Sequence, residues 1–124
     1  MASQFDCIAL SYRQQIPENW ATLRVRQDLR DFPVIDAILD RLKPAGVIHA
    51  AAYADPNECE KYKKHSYALN VDVTEQLARR CFSRGINFYF VSTDLVFDGK
   101  TGNYSERDPV NPINTYGKHK ANAE

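Results

Sequence analysis

Short apolar runs recur along the chain and are separated by stretches of different periodicity. The first run, Phe5–Ser11, is apolar without a polar alternation and stops at the polar residues 12–15. Continuous apolar character predicts a strand buried on both faces, as in a parallel sheet. Three later segments are also predicted as strands: the weaker Thr22–Val25, the buried Val47–Ala50 and the aromatic Asn87–Ser92.

The stretches between these strands have the apolar spacing of helices. A helix is predicted to open at Pro33, with Asp31 as its cap, Lys43 in its last turn and Pro44 as its stop. A longer helical pattern runs from about residue 58 to 84, with a break expected near residue 65 and Gly85 as its end. Residues 98–114 read as a loop, and residues 115–124 permit a helix. Strands that alternate with helices indicate an α/β fold with a parallel sheet.

Length and charge narrow the function classes. The chain has 124 residues, which suits one domain. Sixteen Lys and Arg balance sixteen Asp and Glu, so neither nucleic acid nor an anionic membrane surface is an expected partner. No apolar run approaches the roughly 18 residues of a membrane span, and the first residues do not resemble a signal peptide.

Cysteine and histidine usage points to a reduced compartment and away from metal. Cys7, Cys59 and Cys81 are odd in number and form no CxxC pair, which suits reduced thiols in the cytoplasm. His49, His65 and His119 are scattered and share no ligand spacing with a cysteine. We therefore expect a cytoplasmic protein without a metal site.

Hydroxyl and carboxyl side chains follow directly on the last predicted strand, at Ser92, Thr93 and Asp94. Ligands of open α/β sheets lie beyond the carboxyl ends of the strands, where a hydroxyl can donate to a developing oxyanion. The alternative is a polar cluster that merely ends a strand.

Tyr116 and Lys120 are four residues apart and share one helical face. An ammonium near a tyrosine favours the phenolate and lowers its pKa, so such a pair can exchange a proton with a carbonyl or alcohol oxygen during hydride transfer. The buried strand Val47–Ala50 runs into the small residues Ala51 and Ala52, which permit a close approach of a ligand or, alternatively, tight packing against a helix.

Together these segments resemble a family. Val47–Ala52, Leu69-Asn70-Val71, the string Val91-Ser-Thr-Asp-Leu-Val-Phe-Asp-Gly99 and the segment Asn111-Pro-Ile-Asn-Thr-Tyr-Gly-Lys-His-Lys120 occur in the order of the extended short-chain dehydrogenase/reductases. Within them the chain is similar to the dTDP-4-dehydrorhamnose reductase (RmlD-like) branch, which binds sugar nucleotides. The resemblance covers residues 5–124 and implies a Rossmann-like α/β fold with helices flanking a parallel sheet.

The resemblance also implies roles for individual residues. Tyr116 would donate a proton to the 4-keto oxygen, and Lys120 would hold the nicotinamide ribose and lower the pKa of Tyr116. Thr93 would hydrogen-bond the substrate oxygen, with Asp94 beside it. A nucleotide-sugar is the implied substrate.

Further positions match the cofactor groove of the family. Residues that would line it are Ala50, Ala51, Ala52 and Tyr53, and the adenine would face Asp28 and Leu29. Ser11 and Arg13 suit a 2′-phosphate, which favours NADPH over NADH, although Arg13 is equally well read as a surface arginine. Asn70 matches the helix asparagine of the family.

Two departures from the family pattern matter. None of the five glycines makes a G-x-G-x-x-G turn for a pyrophosphate, and the first strand of the family, central in the 3-2-1-4-5-6 order, has no counterpart. The substrate region that follows the lysine in the family also has no counterpart in these residues. We therefore expect residues 1–124 to be a partial NAD(P)-binding domain, truncated and inactive.

Three readings of the function stay open. The first is the reductase. The second is a non-catalytic subunit similar to the regulatory β-subunit of methionine adenosyltransferase, and the third is a nucleotide-sugar epimerase or dehydratase. Asp94 is followed by Leu95, which speaks against the acidic pair usual in dehydratases. A homodimer also stays open.

Overall fold

Parallel strands alternate with helices in a computed structural model that describes residues 6–19 and 21–124. The predicted α/β class is confirmed. The elements, in chain order, are β1 (Ile8–Ser11), β2 (Leu23–Arg26), α1 (Phe32–Leu42), β3 (Gly46–His49), α2 (Pro56–Lys61), α3 (Lys63–Tyr67), α4 (Val73–Ser83), β4 (Asn87–Phe90) and α5 (Thr115–Ala123). A π-helical turn, Ala68–Asp72, leads into α4, and a 3-10 turn, Asp94–Val96, follows β4. The predicted Phe5 start of the first strand lies outside the described residues.

The four strands form two separate pairs. β1 pairs with β2 and β3 pairs with β4, both in parallel, while β1 and β3 share no ladder. The gap lies where the sequence leaves the central strand of the family without a counterpart.

Backbone hydrogen bonds show which strand edges stay open. The carbonyls of Cys7 and Ser11 accept from the β2 side, and those of Ala45 and His49 accept from the β4 side. Successive residues of a parallel strand direct their N–H and C=O groups to opposite sides. Ile8, Leu10, Gly46 and Ile48 therefore direct theirs toward the gap between β1 and β3.

The termini of α1 follow the sequence signals. Asp31 caps the first turn through its side chain, which accepts from the Val34 amide at 3.5 Å, and proline stands in that turn. Lys43 is not in the last turn but just after it, in a left-handed conformation with φ of 44°, and its amide donates to the Leu39 carbonyl. This closure satisfies a carbonyl at the helix end.

The long helical segment breaks earlier than predicted. It begins at Pro56, capped by Asp55, and is interrupted at Tyr62, three residues before the expected position. The Ser66 hydroxyl lies within hydrogen-bond distance of the Cys59, Tyr62 and Lys63 carbonyls, so polar groups freed by the break are satisfied. Gly85 ends α4 with a φ of 67°, as predicted.

The core lies between the helices and one face of the strands. Its buried residues come from α1, α4 and the turn into β4: Ile35, Leu39, Val73, Leu77, Cys81 and Ile86. Leu10 of β1 packs against this cluster, as do Val47 of β3 and Phe88 of β4. Both strand pairs thus share one core.

The prediction that β3 is a buried strand is wrong for one of its faces, which is exposed together with the same face of its partner β4. Ile48 is 73% exposed, and its register partner Tyr89 is 58% exposed. Their neighbours Val47 and Phe88 point the other way, toward the core. The physical reason is that helices pack on one face of this pair, and within residues 6–19 and 21–124 the other face is left open to solvent.

Gly117 fixes how α5 packs against the 3-10 turn. A Cβ at this position would overlap the backbone carbonyl of Leu95 and lie 3.0 Å from Pro112 Cβ. Only hydrogen fits there, so the turn after β4 lies directly on the first turn of α5. No helix within the described ranges is long and apolar enough to cross a membrane.

Proline substitutions on β3 test the open edge. Ile48→Pro removes an N–H that faces the gap, whereas Val47→Pro removes one that bonds to β4. We expect the proline penalty, measured against alanine at the same position, to be larger at Val47 by about 1–3 kcal/mol in urea unfolding. Equal penalties at the two positions would contradict the open edge.

Gly117→Ala tests the close approach of α5. Helix propensity alone would stabilise the variant by about 1 kcal/mol, but the overlap with the Leu95 carbonyl should destabilise it by about 1–3 kcal/mol. The control is the reverse change, Ala37→Gly, at an exposed position inside α1, where it is expected to cost about 1 kcal/mol. A more stable Gly117→Ala chain would show that the turn does not rest on the helix.

Candidate active site

Lys120 lies beneath the carboxyl end of β4. Its Nζ donates to the Val91 carbonyl at 2.6 Å, and the residue is only 2% exposed. Burial lowers the pKa of the Lys120 ammonium, while the nearby Glu124 carboxylate opposes that shift. The lysine is therefore a fixed, buried cation at the edge of the sheet.

Tyr116 lies on the same face of α5 as Lys120, one turn earlier. Asn114 caps α5 by accepting from the Gly117 amide at 2.7 Å, which sets the first turn that carries Tyr116. The residue is 9% exposed, and burial, together with the neighbouring Cys59, raises the pKa of its hydroxyl.

The expected lowering of the Tyr116 pKa by Lys120 is not found. The ammonium is directed at the Val91 carbonyl and the Phe90 ring, so it is not among the groups that shift the tyrosine pKa. The hydroxyl is therefore neutral at neutral pH and a weaker acid than an unperturbed tyrosine.

Thr93 and Asp94 form the turn that follows β4. The Thr93 hydroxyl accepts from the Leu95 amide at 3.3 Å and donates to Asp94 Oδ1 at 3.2 Å. The hydroxyl thus caps the 3-10 turn, which supports the structural alternative for this cluster. An open hollow of about 490 Å³ lies beside it, with Asp94, Leu95 and Tyr104 among its lining residues.

The segment after β3 is held by a buried amide. Asn70 Oδ1 accepts from the Tyr53 amide at 2.7 Å, and Asn70 Nδ2 donates to the Tyr53 carbonyl at 3.0 Å. Ala50–Ala52 follow the carboxyl end of β3, are exposed and carry small side chains, which would permit the close approach of a ligand. The Tyr53 hydroxyl donates to Glu58 at 3.2 Å.

A second group of predicted residues gathers where β1 and β2 end. Asp28 makes a bidentate pair with Arg30 at 2.6 to 3.2 Å, and this pair, with a smaller contribution from the Arg13 charge, lowers the pKa of Asp28 to about 2. The Ser11 hydroxyl donates to the Gln14 carbonyl at 2.6 Å. Leu29 packs against the core. Arg13 is exposed and lies over the Tyr12 ring.

The residues fit the two ends of a nicotinamide dinucleotide better than its middle. At one end Ser11 and Arg13 offer a hydroxyl and a guanidinium, and at the other Lys120 offers an ammonium from the helical turn after Tyr116. A pyrophosphate needs backbone amides at a helix N-terminus, usually freed by glycine. All five glycines are accounted for elsewhere: Gly46 lies in β3, Gly117 in α5, and Gly85, Gly99 and Gly102 at turns.

Sequence reasoning missed the residues beneath Lys120. Phe90 lies under the ammonium, and His49, its register partner on β3, lies beside it. Their juxtaposition depends on strand register, which no local motif shows. Gly117 did carry a signal, because a glycine inside a helix is costly unless a close approach requires it. Within the described part of the chain, His, Cys, Asp and Glu form no cluster suited to a metal ion.

Comparisons with known proteins identify the family of the chain. The family model described as the RmlD substrate binding domain matches residues 8–124. A dTDP-4-dehydrorhamnose reductase of Aggregatibacter actinomycetemcomitans is 37% identical over 78% of this chain and 33% of its own length. The methionine adenosyltransferase 2 subunit beta of Xenopus tropicalis is 36% identical over 78% of this chain and 29% of its own. The chain thus spans about a third of the length of the curated relatives it matches.

Solved structures share the fold. A hypothetical dTDP-4-dehydrorhamnose reductase from Sulfolobus tokodaii has a TM-score of 0.87 at 31% identity, over 99% of this chain and 43% of that one. A UDP-Glc/GlcNAc 4-epimerase from Campylobacter jejuni has a TM-score of 0.77 at 32% identity, and the match covers 84% of this chain and 32% of that one. The dTDP-4-dehydrorhamnose reductase of Bacillus anthracis in complex with NADP has a TM-score of 0.74 at 28% identity, and the match covers 78% of this chain and 35% of that one.

The strand order, the Ser-Thr-Asp turn, the Tyr116–Lys120 helix and the match over residues 8–124 lead to one conclusion: this chain belongs to the RmlD substrate-binding domain family, within the extended short-chain dehydrogenase/reductases.

Proposed function

We propose that this chain contributes the proton-donating part of an NADPH-dependent reductase of a 4-keto nucleotide-sugar. The observation that carries the proposal is the placement of Tyr116 and Lys120 on one face of α5, with Lys120 bonded to the end of β4. Thr93 lies two residues after Val91, whose carbonyl accepts the hydrogen bond from Lys120. A hydroxyl donor, a cation and a second hydroxyl thus belong to one edge of the fold.

Tyr116 would act in its neutral form. A neutral phenol can give its Oη proton to a ketone oxygen as the carbon is reduced, and the Tyr116 phenol is neutral at neutral pH. The nicotinamide supplies hydride when bound. The ammonium of Lys120 has donors beyond the one that bonds Val91, and these would hold the ribose. The Thr93 hydroxyl would turn from Asp94 to the substrate oxygen.

Selectivity between NADPH and NADH is proposed to rest on Arg13. A guanidinium matches a phosphate in geometry as well as charge, and Arg13 is exposed where β1 ends. Arg30 is already engaged by Asp28 in the bidentate pair, and Arg26 donates its Nε to the Tyr12 carbonyl at 3.0 Å, so Arg13 is the arginine proposed to meet a 2′-phosphate at this position. Asp28 and Leu29 would face the adenine, and Ala50–Tyr53 would lie along the cofactor between its two ends.

These 124 residues by themselves are proposed to be inactive. Without a glycine-rich turn the grip on the pyrophosphate is missing, so the cofactor would be held only at its ends. Binding to the groove is still measurable, because a ligand that binds the folded state raises the melting temperature.

A thermal melt with and without cofactor tests the groove. We expect NADPH to raise the Tm of the chain more than NADH does, and Arg13→Gln to reduce the NADPH shift to that of NADH, because the substitution removes the cation for the 2′-phosphate. Arg107→Gln, an exposed arginine in the loop before α5, is the control and should retain the difference. A Tm that neither cofactor moves would contradict the proposed function.

A regulatory subunit is the second candidate. The relative that favours it is the methionine adenosyltransferase 2 subunit beta of Xenopus tropicalis, whose identity to this chain is within one percentage point of that of the reductase. Because both candidates share the fold, the discriminating property is a partner protein.

Co-purification separates the two candidates. If the chain is an enzyme domain, affinity capture of the tagged chain from its native extract should recover no stoichiometric protein partner. A single partner enzyme at a one-to-one ratio, retained when Tyr116→Phe replaces the wild-type chain, would instead support the subunit and weaken the reductase proposal.

A further inference from the structure

Lys120 is buried to an extent that calls for compensation of its charge. Its Nζ lies 3.9 Å from the centroid of the Phe90 ring, in addition to the 2.6 Å bond to the Val91 carbonyl. A buried ammonium without stabilising partners would lose its proton. The face of an aromatic ring carries negative electrostatic potential, and a cation over it is stabilised most when water is excluded.

The Phe90 ring is itself braced by His49. The two residues are register partners on β4 and β3, and their rings are stacked with centroids 6.0 Å apart at an interplanar angle of 29°. Phe88, two residues earlier on the same strand face, lies at the same centroid distance from His49 and packs against the core. The position of Phe90 therefore depends on the β3–β4 pairing.

The hydrogen bonds of His49 fix its tautomer, and its surroundings keep the ring neutral. The Thr74 hydroxyl donates to the Asn70 carbonyl at 2.9 Å, so it must accept from His49 Nε2 at 3.1 Å, and the Nε2 atom carries a proton. Burial and the Lys120 charge lower the pKa of His49 to about 4. At neutral pH the ring is consequently neutral and adds no positive charge beside the ammonium.

We propose that Phe90 and His49 form an aromatic platform, anchored through Thr74 to the π-helical turn, that positions the ammonium of Lys120. Both are positioning residues, because they act through Lys120. The proposal rests on the proposed function only for what Lys120 does with a cofactor; the platform itself concerns how the lysine is held. The charged groups that act on Lys120 from its surroundings are Glu124 on its own helix and, when protonated, His49 on β3.

The test measures the Lys120 ammonium directly. Lysine labelled with ¹³Cε and ¹⁵Nζ gives a signal for each of the seven lysines, and Lys120→Arg identifies which signal belongs to position 120. In Phe90→Leu the pKa of Lys120 should fall by about 1 unit relative to the wild-type chain, because the cation loses its ring while burial remains. Phe88→Leu, the same change on the same strand face and at the same distance from His49, should leave it within about 0.2 units.

A second variant keeps the shape of the ring. Pentafluorophenylalanine at position 90 preserves the packing but reverses the electrostatic potential of the ring face, so it should lower the Lys120 pKa at least as much as leucine does. Phe90→Tyr keeps the potential and should restore the wild-type value. An unchanged pKa with pentafluorophenylalanine, or equal falls in Phe88→Leu and Phe90→Leu, would overturn the platform.

The failure of the platform and the failure of the proposed function give different results. If the Lys120 pKa falls as expected while NADPH raises the Tm of no variant, the platform stands and the cofactor proposal fails. If NADPH raises the Tm of the wild-type chain while substitutions at position 90 leave the Lys120 pKa unmoved, the cofactor proposal stands and the platform is wrong.

Discussion

One apolar cluster between α1, α4 and a single face of the strands holds the two strand pairs together. Each pair is parallel and two-stranded, an arrangement of marginal stability in water. The pairs share no ladder, so their relative placement depends on Leu10, Val47 and Phe88 packing against the same helical residues. Every later feature of the site depends on that shared core, because the strand ends that carry it come from both pairs.

Local signals were sufficient for much of the fold. The apolar spacing from Val34 to Leu42 and the cap at Asp31 placed α1, and Gly85 placed the end of α4. The strand faces were not predicted, because continuous apolar character does not show which side a helix will cover. Ile48 and its partner Tyr89 are exposed for that reason. The break in the long helical segment was predicted three residues too late. At Tyr62 the freed backbone carbonyl accepts a hydrogen bond from the Ser66 hydroxyl, and the apolar periodicity does not reveal such a contact.

For the candidate site, the motifs identified which residues matter but not how they interact. Tyr116 and Lys120 share a helical face as their spacing predicts, yet the expected influence of the ammonium on the tyrosine is absent. The reason is a competing partner, the Val91 carbonyl, supplied by a strand 29 residues away in sequence. Thr93 likewise proved to be both a candidate donor and the cap of its own turn. Whether a side chain serves structure or chemistry depends on partners that only the folded chain brings near.

The Asn70 side chain meets Tyr53 as another peptide group would, with one donor and one acceptor aimed at the same residue. The Asn70 side chain thus makes with Tyr53 the two hydrogen bonds that a neighbouring strand would make with its backbone groups. Residues 50–53 are secured to the helical layer, and α5 packs on that same layer through the π-helical turn. If the two strand pairs shifted relative to each other, Tyr53 and the Tyr116–Lys120 helix would therefore move as one unit with the π-helical turn.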